Sequence, residues 1–96
     1  MMIAAASLQS ECQQRLKKMQ PGDVLEVLTW KGDRGFTVTC VSDNCFTLIE
    51  NGFQHQTQTE LTRPLILKAL KPLARREFPR SNKLRLTLKK GETASE

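Results

Sequence analysis

Residues 24–59, VLEVLTWKGDRGFTVTCVSDNCFTLIENGFQHQTQT, read as a run of short strands joined by tight turns. Glu50-Asn51-Gly52-Phe53 is the sharpest signal in it, because Asn-Gly supplies the positive φ angles of a type I′ hairpin turn. A two-residue turn there predicts that Glu50 pairs with Phe53, Ile49 with Gln54, Leu48 with His55 and Phe46 with Thr57. Upstream, Phe36, Val38 and Cys40 alternate with Thr37, Thr39 and Val41, the pattern of a half-buried strand with a threonine-rich outer face. Cys45 to Glu50 is the next strand, after a turn at Ser42-Asp43-Asn44. Val24 to Trp30 is the first, with branched residues on both faces, as suits a strand partly covered on each side. Lys31-Gly32-Asp33-Arg34-Gly35 between them reads as a hairpin connection, with two glycines that admit positive φ and an exposed Arg34 at a loop tip beside Trp30. Past Phe53 the chain is polar on both faces from Gln54 through Glu60. A strand that buries so little belongs at a sheet edge or projects past the core.

The flanks of this sheet are helical or strand-like by period. Leu8, Cys12, Leu16 and Met19 form one helical stripe, with Ser7 or Ser10 as caps and Pro21-Gly22 as the stop. The stripe is narrow, so this helix is expected to cover one edge or mouth of the sheet. Thr62 can cap a second helix with Pro64 in its first turn. In it Ile66, Leu70 and Leu73 make an apolar face, and Lys68, Lys71 and Arg75 lie opposite. Pro72 costs a helix interior ~3 kcal/mol, so the segment is either a kinked helix or a strand over Leu65–Leu70 followed by a short helix. Phe78-Pro79 stops it in both cases. From Lys83 to Lys89 the period is two, with Leu84, Leu86 and Leu88 inward and Lys83, Arg85, Thr87 and Lys89 outward.

These elements define an α+β fold: an N-terminal helix, a strongly curved antiparallel sheet of four to five strands, and a basic helix before the last strand. At 96 residues the chain is expected to form one domain over residues 1–90, with a disordered polar tail at 91–96. In outline it resembles the SH3-like and Sm-like small barrels, with Leu8–Met19 as the leading helix and Val24–Thr59 as the strands. That resemblance covers about half the chain in pattern and carries no motif residue with it.

Charge divides the chain sharply. Residues 1–62 hold five Lys or Arg against seven Asp or Glu, net −2, whereas residues 63–96 hold ten against three, net +7. Such asymmetry points to an anionic partner, nucleic acid first and an acidic protein or lipid surface next. The cations expected to contact RNA or DNA phosphates are Lys68, Lys71, Arg75, Arg76, Arg80, Lys83, Arg85 and Lys89, with Asn82 as a neutral contact. Among aromatic residues, Trp30 and Phe78 are the candidates for base stacking. The same basic face could instead be a solvated surface, or could dock an acidic protein while the polar Gln54–Thr59 edge accepts an added strand.

Catalytic chemistry finds no motif: no P-loop, no dinucleotide-binding glycine pattern and no paired carboxylates occur, so a non-enzymatic module without metal or cofactor is expected. Cys40 and Cys45 have loose spacing for zinc, and Cys12 lies on another element. Cys45 and His55 could approach across adjacent strands, but a solvent-facing His on a polar strand is the simpler reading. Three cysteines suggest free thiols in a reducing compartment. The apolar start Met1–Ala6 is too short for a signal peptide, and no run approaches the ~18 apolar residues of a membrane span. A soluble cytoplasmic protein is the expectation.

Overall fold

The computed structural model describes residues 1–52, 54–78 and 82–90. The leucine alternation near the C-terminus forms β6 (Lys83–Lys89), with Leu84 and Leu86 buried and Leu88 partly so. This last strand does not close the chain order at an edge. It runs antiparallel between β1 (Met2–Ala4) and β2 (Val24–Thr29), setting Leu84 opposite Ile3 and Leu86 opposite Val27. Beyond β2 follow β3 (Gly35–Ser42), β4 (Cys45–Asn51) and β5 (His55–Leu61), giving the order β1-β6-β2-β3-β4-β5.

The sheet is antiparallel throughout and is not closed into a barrel, so the expected curved barrel of four to five strands gives way to an open sheet of six. The extra strand is β1, whose three residues are too few to show a period in sequence. Closure would require β5 to pair with β1. That is a poor match, because β1 is so short and residues 55–60 of β5 are all exposed, with no apolar face to bury.

Two helices cover one face. The predicted stripe of Leu8, Cys12, Leu16 and Met19 is buried, and α1 (Leu8–Lys18) ends before the turn at Gly22, whose φ is +98°. α1 covers the β1 side of the sheet, as its narrow stripe implied. Ser7 holds the N-cap position but makes no side-chain cap bond, and the Ser10 hydroxyl donates to the Ser7 carbonyl instead. The chain enters α1 through a 3-10 turn at Ala5–Ser7, which displaces the expected cap geometry.

Residues 63–77 form one helix, α2 (Arg63–Glu77), and the strand alternative for Leu65–Leu70 is not adopted. Pro72 is exposed, on the side where water can replace the missing amide. Thr62 is the N-cap by position, but again without a side-chain bond; its carbonyl accepts the Ile66 amide at 2.9 Å. α2 runs along β4 in the same direction. Its start meets Asn44 and Phe46 through Arg63, and its end meets Glu50 and Gln54 through Arg76 and Glu77. Fifteen helical residues at 1.5 Å and seven strand residues at 3.3 Å both span about 22–23 Å, so the two elements match in length. Between helices and sheet lie Phe36, Val38, Phe46, Leu48, Ile66, Leu70 and Leu73, closed at one end by Phe78, whose ring centroid is 6.3 Å from that of Phe36.

The β4–β5 connection departs from expectation. Asn51 pairs with His55, Glu50 with Gln56, Ile49 with Thr57 and Leu48 with Gln58, so the register of the expected two-residue turn is not adopted; Phe53, the expected partner of Glu50, lies outside the described residues. Neither Asn51 nor Gly52 has a positive φ. Gly52 is needed for space: a Cβ there would come within 2.0 Å of Glu77 Oε1. Further along, the register slips between Phe46 and Leu48, where Glu60 takes φ +58° and Leu61 comes opposite Phe46.

Candidate nucleic-acid interface

Strand alternation puts the cations of β6 and those of α2 on different surfaces. Lys68, Lys71 and Arg75 are exposed on the outer side of α2, above the helix-covered face of the sheet. Lys83, Arg85 and Lys89 are also exposed, but they alternate with the buried leucines and so project from the helix-free face. The described cations of α2 and β6 therefore do not make one patch. Arg80 lies outside the described residues.

Arg76 is already engaged. Its Nη2 donates to Glu50 Oε1 at 2.6 Å and its Nε to Oε2 at 3.1 Å, a forked pair that satisfies a carboxylate only 3% exposed. Hydrogen bonding to Glu50 pushes the Arg76 pKa up from its ordinary value. Its guanidinium serves the fold. Arg63 is similarly committed: Nε donates to the Leu16 carbonyl at 2.9 Å, and the guanidinium carbon lies 5.4 Å from the Phe46 ring centroid. On β6, Lys89 Nζ stands 3.9 Å from Glu26 Oε1, a largely solvated pair, and Lys90 reaches buried Asp23 at 3.4 Å. Asn82 is exposed, with its carbonyl accepting the Ala5 amide at 2.8 Å.

Of the two aromatic candidates, Phe78 is buried against Phe36 and has no face to offer. Trp30 is 65% exposed. It follows β2 in a turn closed by the Gly32 amide donating to the Thr29 carbonyl at 2.9 Å, with Gly32 at φ +77°. Arg34, expected at the exposed loop tip, is half-buried, and its carbonyl accepts the Thr29 amide across the hairpin. Gly35 belongs to β3, and a Cβ there would meet the Val27 carbonyl at 2.1 Å.

The helix layer also holds Lys17 and Lys18, exposed at the end of α1, which packs against α2. Sequence reasoning passed over them because they sit in the net-acidic part of the chain. Adjacent helices sharing one face were the signal that could have found them.

The cysteine and histidine readings separate as well. Cys45 starts β4 and His55 starts β5 opposite Asn51, so they stand at opposite ends of the hairpin, about 20 Å apart at 3.3 Å per residue. Burial pushes the Cys12 thiol up to about 12 and raises that of Cys40, whose sulfur donates to the Ser42 carbonyl. No group of three or more metal-ligating side chains occurs among the described residues. No described helix is long and apolar enough to cross a membrane. No protein-family model matches this chain, nor does any curated protein or solved structure.

Proposed function

We infer that the protein is a non-enzymatic nucleic-acid-binding module that grips backbone phosphates. One observation carries this reading. α2 and β6 expose Lys68, Lys71, Arg75, Lys83, Arg85 and Lys89, and the single acid in either element, Glu77, is fully buried. Cations without exposed acids on their own element keep most of their field for a polyanion, and among the described residues Glu26 of β2 offsets Lys89 alone of these six. RNA is the favoured ligand of this reading, with duplex DNA as the other arm of the test. The action is binding within the cytoplasm, with no chemical step.

A second reading is favoured by β5, a seven-residue polar strand with an open edge that could accept a strand from a partner protein while the cations meet its acids. Titration separates the two. Wild type, Lys68→Gln/Lys71→Gln/Arg75→Gln and Lys83→Gln/Arg85→Gln/Lys89→Gln are compared on single-stranded RNA and duplex DNA at two salt concentrations. Three to five phosphate contacts give a log–log salt slope of roughly −2 to −4 on a single strand, and one triple variant should lose most of it. Affinity no tighter than ~100 μM in every case overturns the nucleic-acid reading and favours the protein partner.

A further inference from the structure

Trp30 is a large aromatic side chain left 65% exposed, on a loop that is held firmly. The Thr29 hydroxyl donates to Asp33 Oδ1 at 2.6 Å, the Gly32 amide to the Thr29 carbonyl, and the Thr29 amide to the Arg34 carbonyl, both at 2.9 Å. An indole presented on an ordered turn loses little entropy when it takes a partner. Around it stand cations. Lys31 follows directly, Arg85 Nη1 lies 3.5 Å from the Trp30 carbonyl, and Lys83 is one step past the Thr29–Leu84 pair in the β2–β6 register. The loop acid, Asp33, accepts from Thr29 and stays a carboxylate, one negative charge against Lys31, Lys83 and Arg85.

Among the other exposed apolar side chains, Val41 is at the far end of β3 and Leu65 is on α2 above the opposite face. Met2 shares the helix-free face but pairs with Arg85 on the far side of β6, so the arginine stands between it and β2. An isolated aromatic flanked by Lys and Arg suits a base whose neighbouring phosphates are gripped at the same time. We propose that Trp30 is a stacking platform for an unpaired base, with Lys83 and Arg85 on the adjoining phosphates, so that the ligand is single-stranded. A duplex hides its base faces and cannot use the platform. This proposal rests on the nucleic-acid reading above and narrows it.

The chain has one tryptophan and no tyrosine, so its tryptophan emission reports this site alone. The full chain is titrated with a short oligouridylate and with a duplex of equal length, following tryptophan emission and, separately, the anisotropy of a labelled strand. The single strand should quench the emission. Trp30→Ala should weaken binding roughly 5- to 150-fold, the value of one stacked base, and Trp30→Phe should restore most of it. Salt-dependent anisotropy without quenching, and unchanged in Trp30→Ala, overturns stacking while the phosphate reading stands. Tighter binding of the duplex overturns it too. Failure of both nucleic acids to bind removes both readings. Because Trp30 projects from a turn, circular dichroism of the variants should match wild type.

Discussion

Glu77 and Gly52, 25 positions apart in sequence, share one small space: a Cβ on Gly52 would lie 2.0 Å from Glu77 Oε1 and 2.6 Å from its carboxyl carbon. Glu77 is fully buried at the end of α2, and its Oε2 accepts the Gln54 amide at 3.3 Å. The carboxylate therefore holds the β4–β5 loop against the helix, and only a residue without a side chain fits beneath it.

Gly52→Ala should accordingly destabilise the fold by about 1–3 kcal/mol, as overpacking does. Glu77→Ala should also destabilise, by stripping the loop of its acceptor. Combined, the two should cost less than their sum by roughly 0.5–3 kcal/mol, because the clash disappears with the carboxylate. Urea unfolding of the four proteins checks this; strict additivity would show that the residues act separately.

Neighbouring arginines should behave differently. Arg76→Gln leaves the buried Glu50 carboxylate without its forked partner and should lower the unfolding temperature measurably. Arg75→Gln, on the solvent side of α2, should change stability by less than about 0.5 kcal/mol. Equal losses in thermal unfolding would contradict the assignment of Arg76 to the fold.

The thiols should react in order of burial. Cys45 is half-buried and should be alkylated first in the native protein, and Cys12 only as the chain unfolds. Burial raises Cys12 from 9.0 to about 12, so folding holds its proton. Its contribution to stability is complete below the unfolded value and declines as pH rises from about 9 toward about 12. Cys12→Ala should flatten that alkaline decline, and mass spectrometry after timed alkylation should show the order.

Acid should loosen the Trp30 turn. The Thr29 hydroxyl bond holds the Asp33 carboxyl below its ordinary 3.8, so its contribution is present above that value and is lost as pH falls through the lower folded value. Trp30 emission followed into the acid range should change with a midpoint below 3.8, and Thr29→Val should move the midpoint up toward it. An unmoved midpoint would mean that another contact sets the titration.

Sequence alone determined the features that depend on near neighbours. The two-residue period set Leu84 and Leu86 inward with Lys83, Arg85 and Lys89 outward, and it ordered Phe36, Val38 and Cys40 against Thr37 and Thr39. The helical stripe of Leu8, Cys12, Leu16 and Met19 followed likewise from backbone geometry, and so did the exposure of β5 from its polar composition. Tertiary structure decided what depends on distant partners. β6 enters between β1 and β2 because its leucines, set against Ile3 on one side and Leu25 and Val27 on the other, bury more there than at an edge. The Asn-Gly signal yielded to a different register because Glu77 fills the space beside Gly52, a contact that local turn chemistry cannot anticipate. The basic segment divided in the same way: a charge is free or committed according to what folds against it, and Glu50, 26 residues away, took Arg76. Periodicity is a property of the local backbone. Pairing order, close approach and the commitment of a charge belong to the whole assembled core.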